Sequence, residues 1–163
     1  AARGFYSSGE FTLAHLPPAV LSNSVELGRA CVARDHRNTR VLFLLWRGIA
    51  AYLEHHGKRF LFGCCSLTTQ DPAEGARVAR RLERDGSLHH ALRVAPRPGF
   101  ECAVAGPVDN DARLPQLFGM YMRFGAKVCS APAIDRAFGT IDFLVVFDVA
   151  ELDERARRVF FGG

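Results

Sequence analysis

The sequence predicts an α/β (α+β) fold, a central mixed sheet flanked by helices, and three observations carry that prediction. Residues Val41 to His56 repeat apolar side chains at helical spacing between two strand-like segments. Asp71-Pro72 opens a second helix with its own start signal. Ile141 to Val149 is almost continuously apolar, the pattern of a central strand covered on both faces.

Residues 1–23 read as loop, punctuated by Gly4, Ser7, Ser8, Gly9 and Pro17-Pro18. Ser24 to Val32 reads as a strand. Its alternation breaks around Gly28, the mark of a bulge or a close backbone approach. A polar loop, Ala33 to Arg40, leads into the Val41–His56 helix, with Thr39 as the expected N-cap and Gly57 as the stop. Arg59 to Leu67 is the next strand. Asp71 then caps a helix to roughly Asp85, with Pro72 at the first helical position, where its missing N–H costs nothing. Residues 87–113 carry the weakest signals: a short strand at Ala91 to Ala95, and loops at Pro96, Pro98 and Pro107. Leu114 to Phe124 reads as a helix with Leu117, Tyr121 and Phe124 on one side, stopped by Gly125. Ala126 to Cys129 and Ile141 to Val149 read as strands, and Glu151 to Phe160 as a short basic helix. Residues 1–163 read as a single domain without internal repeats.

The chain of 163 residues is 48% hydrophobic and 23% charged, which suits one globular core and excludes fibrous or disordered classes. No apolar run approaches the roughly 18–20 residues a bilayer crossing needs. The 5 Cys are scattered apart from Cys64-Cys65, and no CxxC pair is present. Free thiols in a reducing cytoplasm follow, with Cys31, Cys64, Cys65 and Cys129 as small core hydrophobes rather than nucleophiles. The His55-His56 and His89-His90 pairs lack partners at metal-ligand spacing, so no metal is expected. A net charge of +4 suits an acidic partner or an anionic lipid surface. Arginines spread over loops and helix faces, without interleaved exposed aromatics, argue against nucleic acid.

The chemistry concentrates where the first strand runs into the first long helix. Arg37, Asn38, Thr39, Arg40 and Val41 lead into that helix's N-terminus. Its free N–H groups and positive dipole end, beside two arginines, form an anion site for a phosphate. Several collinear segments then resemble a known family. They are Gly4 to Phe11, Val25-Glu26-Leu27-Gly28-Arg29, Leu44 to Ala50, Phe60 to Cys64, Gly125 to Cys129 and Asp142-Phe143-Leu144. They resemble the Gcn5-related N-acetyltransferase (GNAT) superfamily, and within it the hemolysin-like branch of ornithine lipid synthases and N-acyl amino acid synthases. Glu26-x-x-Arg29 is also similar to a motif of the acyl-homoserine lactone synthases.

The resemblance implies a GNAT-like sheet whose N-terminal strands precede Phe5-Tyr6-Ser7, so a truncated or processed N-terminus is expected. It implies an acyl-phosphopantetheine donor on acyl carrier protein, a 3-hydroxyacyl chain in the ornithine lipid synthases, and ornithine or another amino acid as acceptor. A cytoplasmic enzyme, peripheral to the inner membrane through Arg155 to Phe160, is the expected setting. The family's pyrophosphate loop carries glycines where Asn38-Thr39-Arg40 stand here. That departure suits a donor lacking the nucleotide of coenzyme A, with Asn38 as the residue tolerant of left-handed backbone.

Thioester aminolysis needs a base, because an α-amine of pKa roughly 8 is largely protonated at neutral pH. Glu26 is the candidate base, oriented by Arg29. A backbone N–H near Cys31 or Val32 is the candidate oxyanion donor. Glu10, Phe11, Ser66 and Asp142 are candidate acceptor contacts. Trp46 and Phe43 read as core, and a core with 13 Phe has material for an acyl tunnel. The competing readings are an acetyl-coenzyme A-dependent acetyltransferase and a non-catalytic acyl-carrier or lipid-binding module.

Overall fold

The computed structural model describes residues 4–29, 31–103 and 112–162. Ala30 and the loop expected at Pro107 lie outside the described residues. The architecture is mixed α/β. Five strands, β1 (Ser24–Glu26), β2 (Phe60–Leu67), β3 (Lys127–Val128), β4 (Ala133–Asp135) and β5 (Thr140–Asp148), form one sheet. Five α-helices accompany it: α1 (Pro18–Ser22), α2 (Thr39–His55), α3 (Pro72–Arg84), α4 (Gln116–Arg123) and α5 (Glu154–Phe161).

The apolar run at the end of the sequence does become the centre of the sheet. β5 pairs antiparallel with β2 along one edge, from Phe60↔Asp148 to Leu67↔Ile141. It pairs with β3 and β4 along the other. β1 adds to β2 in parallel, with Glu26 opposite Phe62. Strand alternation sends side chains to two cores. Leu61, Cys65, Phe143 and Phe147 join Trp46, Phe118 and Phe160 from α2, α4 and α5. Phe60, Phe62, Leu144 and Val146 join Phe11, Leu13, Leu16, Leu92 and Val94 on the other face.

Local signals explain most boundaries. Asp71 accepts from Ala73 N and caps α3, and Gly86 follows its end at φ 65°. The segment expected as loop before β1 holds two 3-10 turns, Tyr6–Gly9 and Leu13–His15, and the short α1. Four expectations are corrected. The first strand ends at Glu26 rather than Val32. The cap of α2 is Asn38, whose side chain accepts from Val41 N; Thr39 is already helical. Asn38 has extended backbone at φ −141°, so its left-handed tolerance is unused. Ala91 to Ala95 forms no strand. Val94 N reaches Cys129 O at 2.7 Å, one isolated bridge forms to Ser130, and Pro96, which has no N–H to give, follows. The basic C-terminal segment docks through Phe160, whose ring packs on Trp46, Phe124 and Phe147.

Candidate active site

β1 stops three residues into its pairing while β2 runs on for eight, and the site is built on that mismatch. Leu27 N still donates to Phe62 O at 2.8 Å. The approach is so close that a Cβ on Gly63 would collide with the Leu27 carbonyl oxygen. The chain then swings away, with Arg29 in the left-handed region at φ 54°, the break foreshadowed at Gly28. The two parallel strands part around a cavity of about 350 Å³. One wall is Leu27, Gly28 and Arg29, the other Gly63 to Ser66. Trp46 of α2 and Leu117, Phe118 and Tyr121 of α4 close it with apolar surface. Because Phe62 turns its carbonyl toward β1, the two-residue period turns the backbone N–H and C=O groups of Cys64 and Ser66 the same way, into the gap.

Glu26 sits at the fork. Its Oε2 accepts from Tyr6 N at 2.5 Å and its Oε1 from Ser7 N at 2.8 Å, so the carboxylate caps the 3-10 turn that precedes β1. Each oxygen keeps a further lone pair. The sequence predicts that Arg29 orients this carboxylate; among the described residues no ion pair or hydrogen bond joins the two. The Arg29 guanidinium lies 5.3 Å from the centroid of the exposed Tyr6 ring. Beyond the fork Cys31 is exposed, not a core hydrophobe, and the half-buried Val32 offers its carbonyl to Arg37 Nε at 2.9 Å. That bond anchors Arg37 beside the start of α2. Thr39 and Arg40 lie exposed in its first turn, and Val41 N is taken by Asn38 Oδ1 at 3.0 Å. The phosphate-site candidates are therefore together at one end of α2.

The acceptor candidates divide. Ser66 is exposed on the cleft edge of β2, opposite Asp142 of β5. Phe11 is fully buried in the second core. Glu10 and Asp142 are each only 5% exposed. Burial, then the neighbouring Asp142 carboxyl, pushes Glu10 up to about 8. One oxygen from each and the Cys64 sulfur lie within 4.8 Å of one another. No sequence pattern announces this pair, because its members stand at opposite ends of the chain and meet only when β5 enters the sheet. Leu117 and Phe118 also escaped sequence reading as cavity walls, since their helical spacing is equally that of packing.

Residues 1–47 match the family model described as an acetyltransferase (GNAT) domain. The rest of the chain carries the similarity further. It is 33% identical over 160 residues to the L-ornithine N(alpha)-acyltransferase of Rhizobium meliloti (strain 1021), covering 93% of this chain and 54% of that protein. Along almost its whole length this chain is thus similar to GNAT acyltransferases. Proteins of the same name from Brucella abortus (strain 2308) and Agrobacterium fabrum (strain C58) are 30% and 31% identical over 94% and 95% of this chain. Those matches cover 58% and 56% of the relatives, so the chain spans little more than half the length of the curated relatives it matches. No solved structure gives a significant match.

The remaining reactive side chains are poor nucleophiles. Burial pushes the Cys64 thiol up, and Cys65 and Cys129 up to about 12. His89, His90 and Glu151 come within metal-ligand distance of one another. However, His89 Nδ1 accepts from Ala91 N and Leu92 N at 3.1 and 3.0 Å. The neutral ring therefore carries its proton on Nε2 and has no lone pair there for a metal. Among the described residues no helix is long and apolar enough to cross a membrane.

Proposed function

We propose that this chain, acting as one domain, is the donor-binding and catalytic part of an N-acyltransferase. It moves a fatty acyl group, 3-hydroxylated in the first candidate donor, from acyl carrier protein to the α-amine of an amino acid, ornithine foremost. The observation that carries the reading is the gap between β1 and β2. It combines an apolar cavity, walled by Leu27 to Arg29 and by Trp46 of α2, with backbone groups at Cys64 and Ser66 that lie beyond the β1 pairing. That combination suits a phosphopantetheine arm, whose amides need backbone partners and whose thioester carries an apolar tail.

The arm's phosphate binds at the first turn of α2, with Asn38, Thr39 and Val41 shaping the turn and Arg37 and Arg40 supplying charge. Exposed Arg34, Arg37 and Arg40 offer a basic rim to an acidic carrier protein. The acyl chain enters the cavity beside Trp46, Leu117 and Phe118. The attacking nitrogen adds to the thioester carbonyl while Glu26, through a free lone pair and an intervening water, takes its proton. A backbone N–H at Cys31 or Val32 steadies the oxyanion. Collapse of the tetrahedral intermediate forms the amide, breaks the C–S bond and returns a proton to the leaving thiolate. Ser66 lines the acceptor's side of the fork, and Phe11 supports that side from within the second core. Exposed Arg155, Arg157 and Arg158 on α5 support contact with anionic lipid, which a lipid product must reach. Cytoplasmic location follows from the carrier donor and the free thiols.

The test is release of free thiol from carrier protein charged with a 3-hydroxyacyl chain, against a panel of amines that includes ornithine. Amine-dependent release is expected with the carrier donor and not with acetyl-coenzyme A. Release only with the coenzyme A donor would make the chain an acetyltransferase, and release with neither would make it a binding module.

A further inference from the structure

We infer that the buried Glu10–Asp142 carboxyl pair is a seat for a primary ammonium group, the side-chain cation of a diamino acid acceptor. The inference rests on the acyltransferase reading for the identity of the cation, and on the following observations for its place.

Two carboxyls are withdrawn from water with no basic partner. The charged groups acting on Glu10 are Asp142, Asp135 and Glu26, all acidic. Those acting on Cys64 are again Glu10, Asp142 and Glu26. Asp135 spends one oxygen on Ala137 N and Phe138 N, and Glu26 spends both on Tyr6 N and Ser7 N. Glu10 Oε2 and Asp142 Oδ1 are buried without a hydrogen-bond partner among the described residues, and Ser7 Oγ is likewise buried and unpartnered. A chain of net charge +4 thus keeps an uncompensated negative centre inside, where isolated charge is costly. Such a centre stabilises an incoming cation by several times what an exposed carboxylate would.

Location and chemistry select the cation. Cys64 lines the cleft cavity and stands within 4.8 Å of both carboxyls. The seat therefore adjoins the fork, where Glu26 meets the attacking amine. An ammonium brings three N–H donors to the unpaired oxygens. A metal ion would meet there a thiol that burial keeps protonated. On binding, the ammonium replaces the proton that Glu10 holds.

Calorimetry on the intact chain at pH 7, in two buffers of different ionisation enthalpy, tests this with ornithine, with norvaline, which lacks the side-chain amine, and with zinc chloride. Ornithine is expected to bind with release of about one proton, and norvaline at least about tenfold more weakly with none. Glu10→Gln keeps the side chain's size and removes the titrating proton. It should abolish proton release and level the two amino acids, and its melting temperature reports that it folds. Asp142→Asn should do the same. Ornithine binding without proton release, retention of the preference in Glu10→Gln, or proton-linked binding of zinc but not ornithine would each overturn the inference. Thiol release with norvaline as readily as with ornithine would also overturn it, while leaving the acyltransferase reading intact.

Discussion

The two faces of the sheet at the fork differ in almost every physical respect. On one, Trp46, Leu117, Phe118 and Tyr121 enclose an apolar slot. On the other, Glu10, Glu26, Asp135 and Asp142 gather without a counter-charge. Gly63 to Ser66 of β2 run between them, beyond the last residue paired with β1. The contrast teaches that one break in a parallel pairing can set an apolar slot beside an acidic pocket, which the proposed function assigns to donor and acceptor. The two then meet along a single stretch of backbone.

Substitutions on each face should therefore fail differently. The largest expected effect is Glu26→Gln, a fall of about 100-fold in kcat/KM for amine-dependent thiol release, or about 2.7 kcal/mol. Because Glu26 also caps the Tyr6–Gly9 turn, a thermal melt should show a separate stability loss of about 1 kcal/mol. Gly63→Ala comes next. Its Cβ must push Leu27 away, which should cost about 1–3 kcal/mol and weaken donor and acceptor binding together, as measured by denaturant titration and by KM for each. Asn38→Ala should cost about 1 kcal/mol and weaken donor binding alone.

Legibility in the sequence followed how local each signal was. Asp71-Pro72, the apolar run at β5 and the glycines after α2, α3 and α4 are local chemistry, and each marked its element. Glu26 was singled out because it lies within a contiguous motif. β4 spans three residues, too short for a period, and was not anticipated. Asn38 and Thr39 are both competent caps, and side-chain geometry decided between them. The strand expected at Ala91 to Ala95 lost to its tertiary surroundings. The Glu10–Asp142 pairing, with residues from the first and last parts of the chain, is a property of sheet topology and had no local signature.

The smallest expected effect concerns stability and pH. Glu10 holds its proton to about 8 in the fold and releases it near 4.5 when unfolded. Between those values the folded state binds more protons, so stability should fall as pH rises from about 5 to 8. Glu10→Gln should flatten that decline in melts run across the same range, while the apolar face stays unaffected.

Amide hydrogen exchange with and without an acyl-pantetheine donor tests the central claim most directly, that the gap beside β2 is the donor slot. The Cys64 and Ser66 amides should exchange quickly in the free chain and slow at least about tenfold when the donor binds, with those of β5 unchanged. Donor binding that leaves Cys64 and Ser66 unprotected, or protects only the face carrying Glu10 and Asp142, would contradict the account.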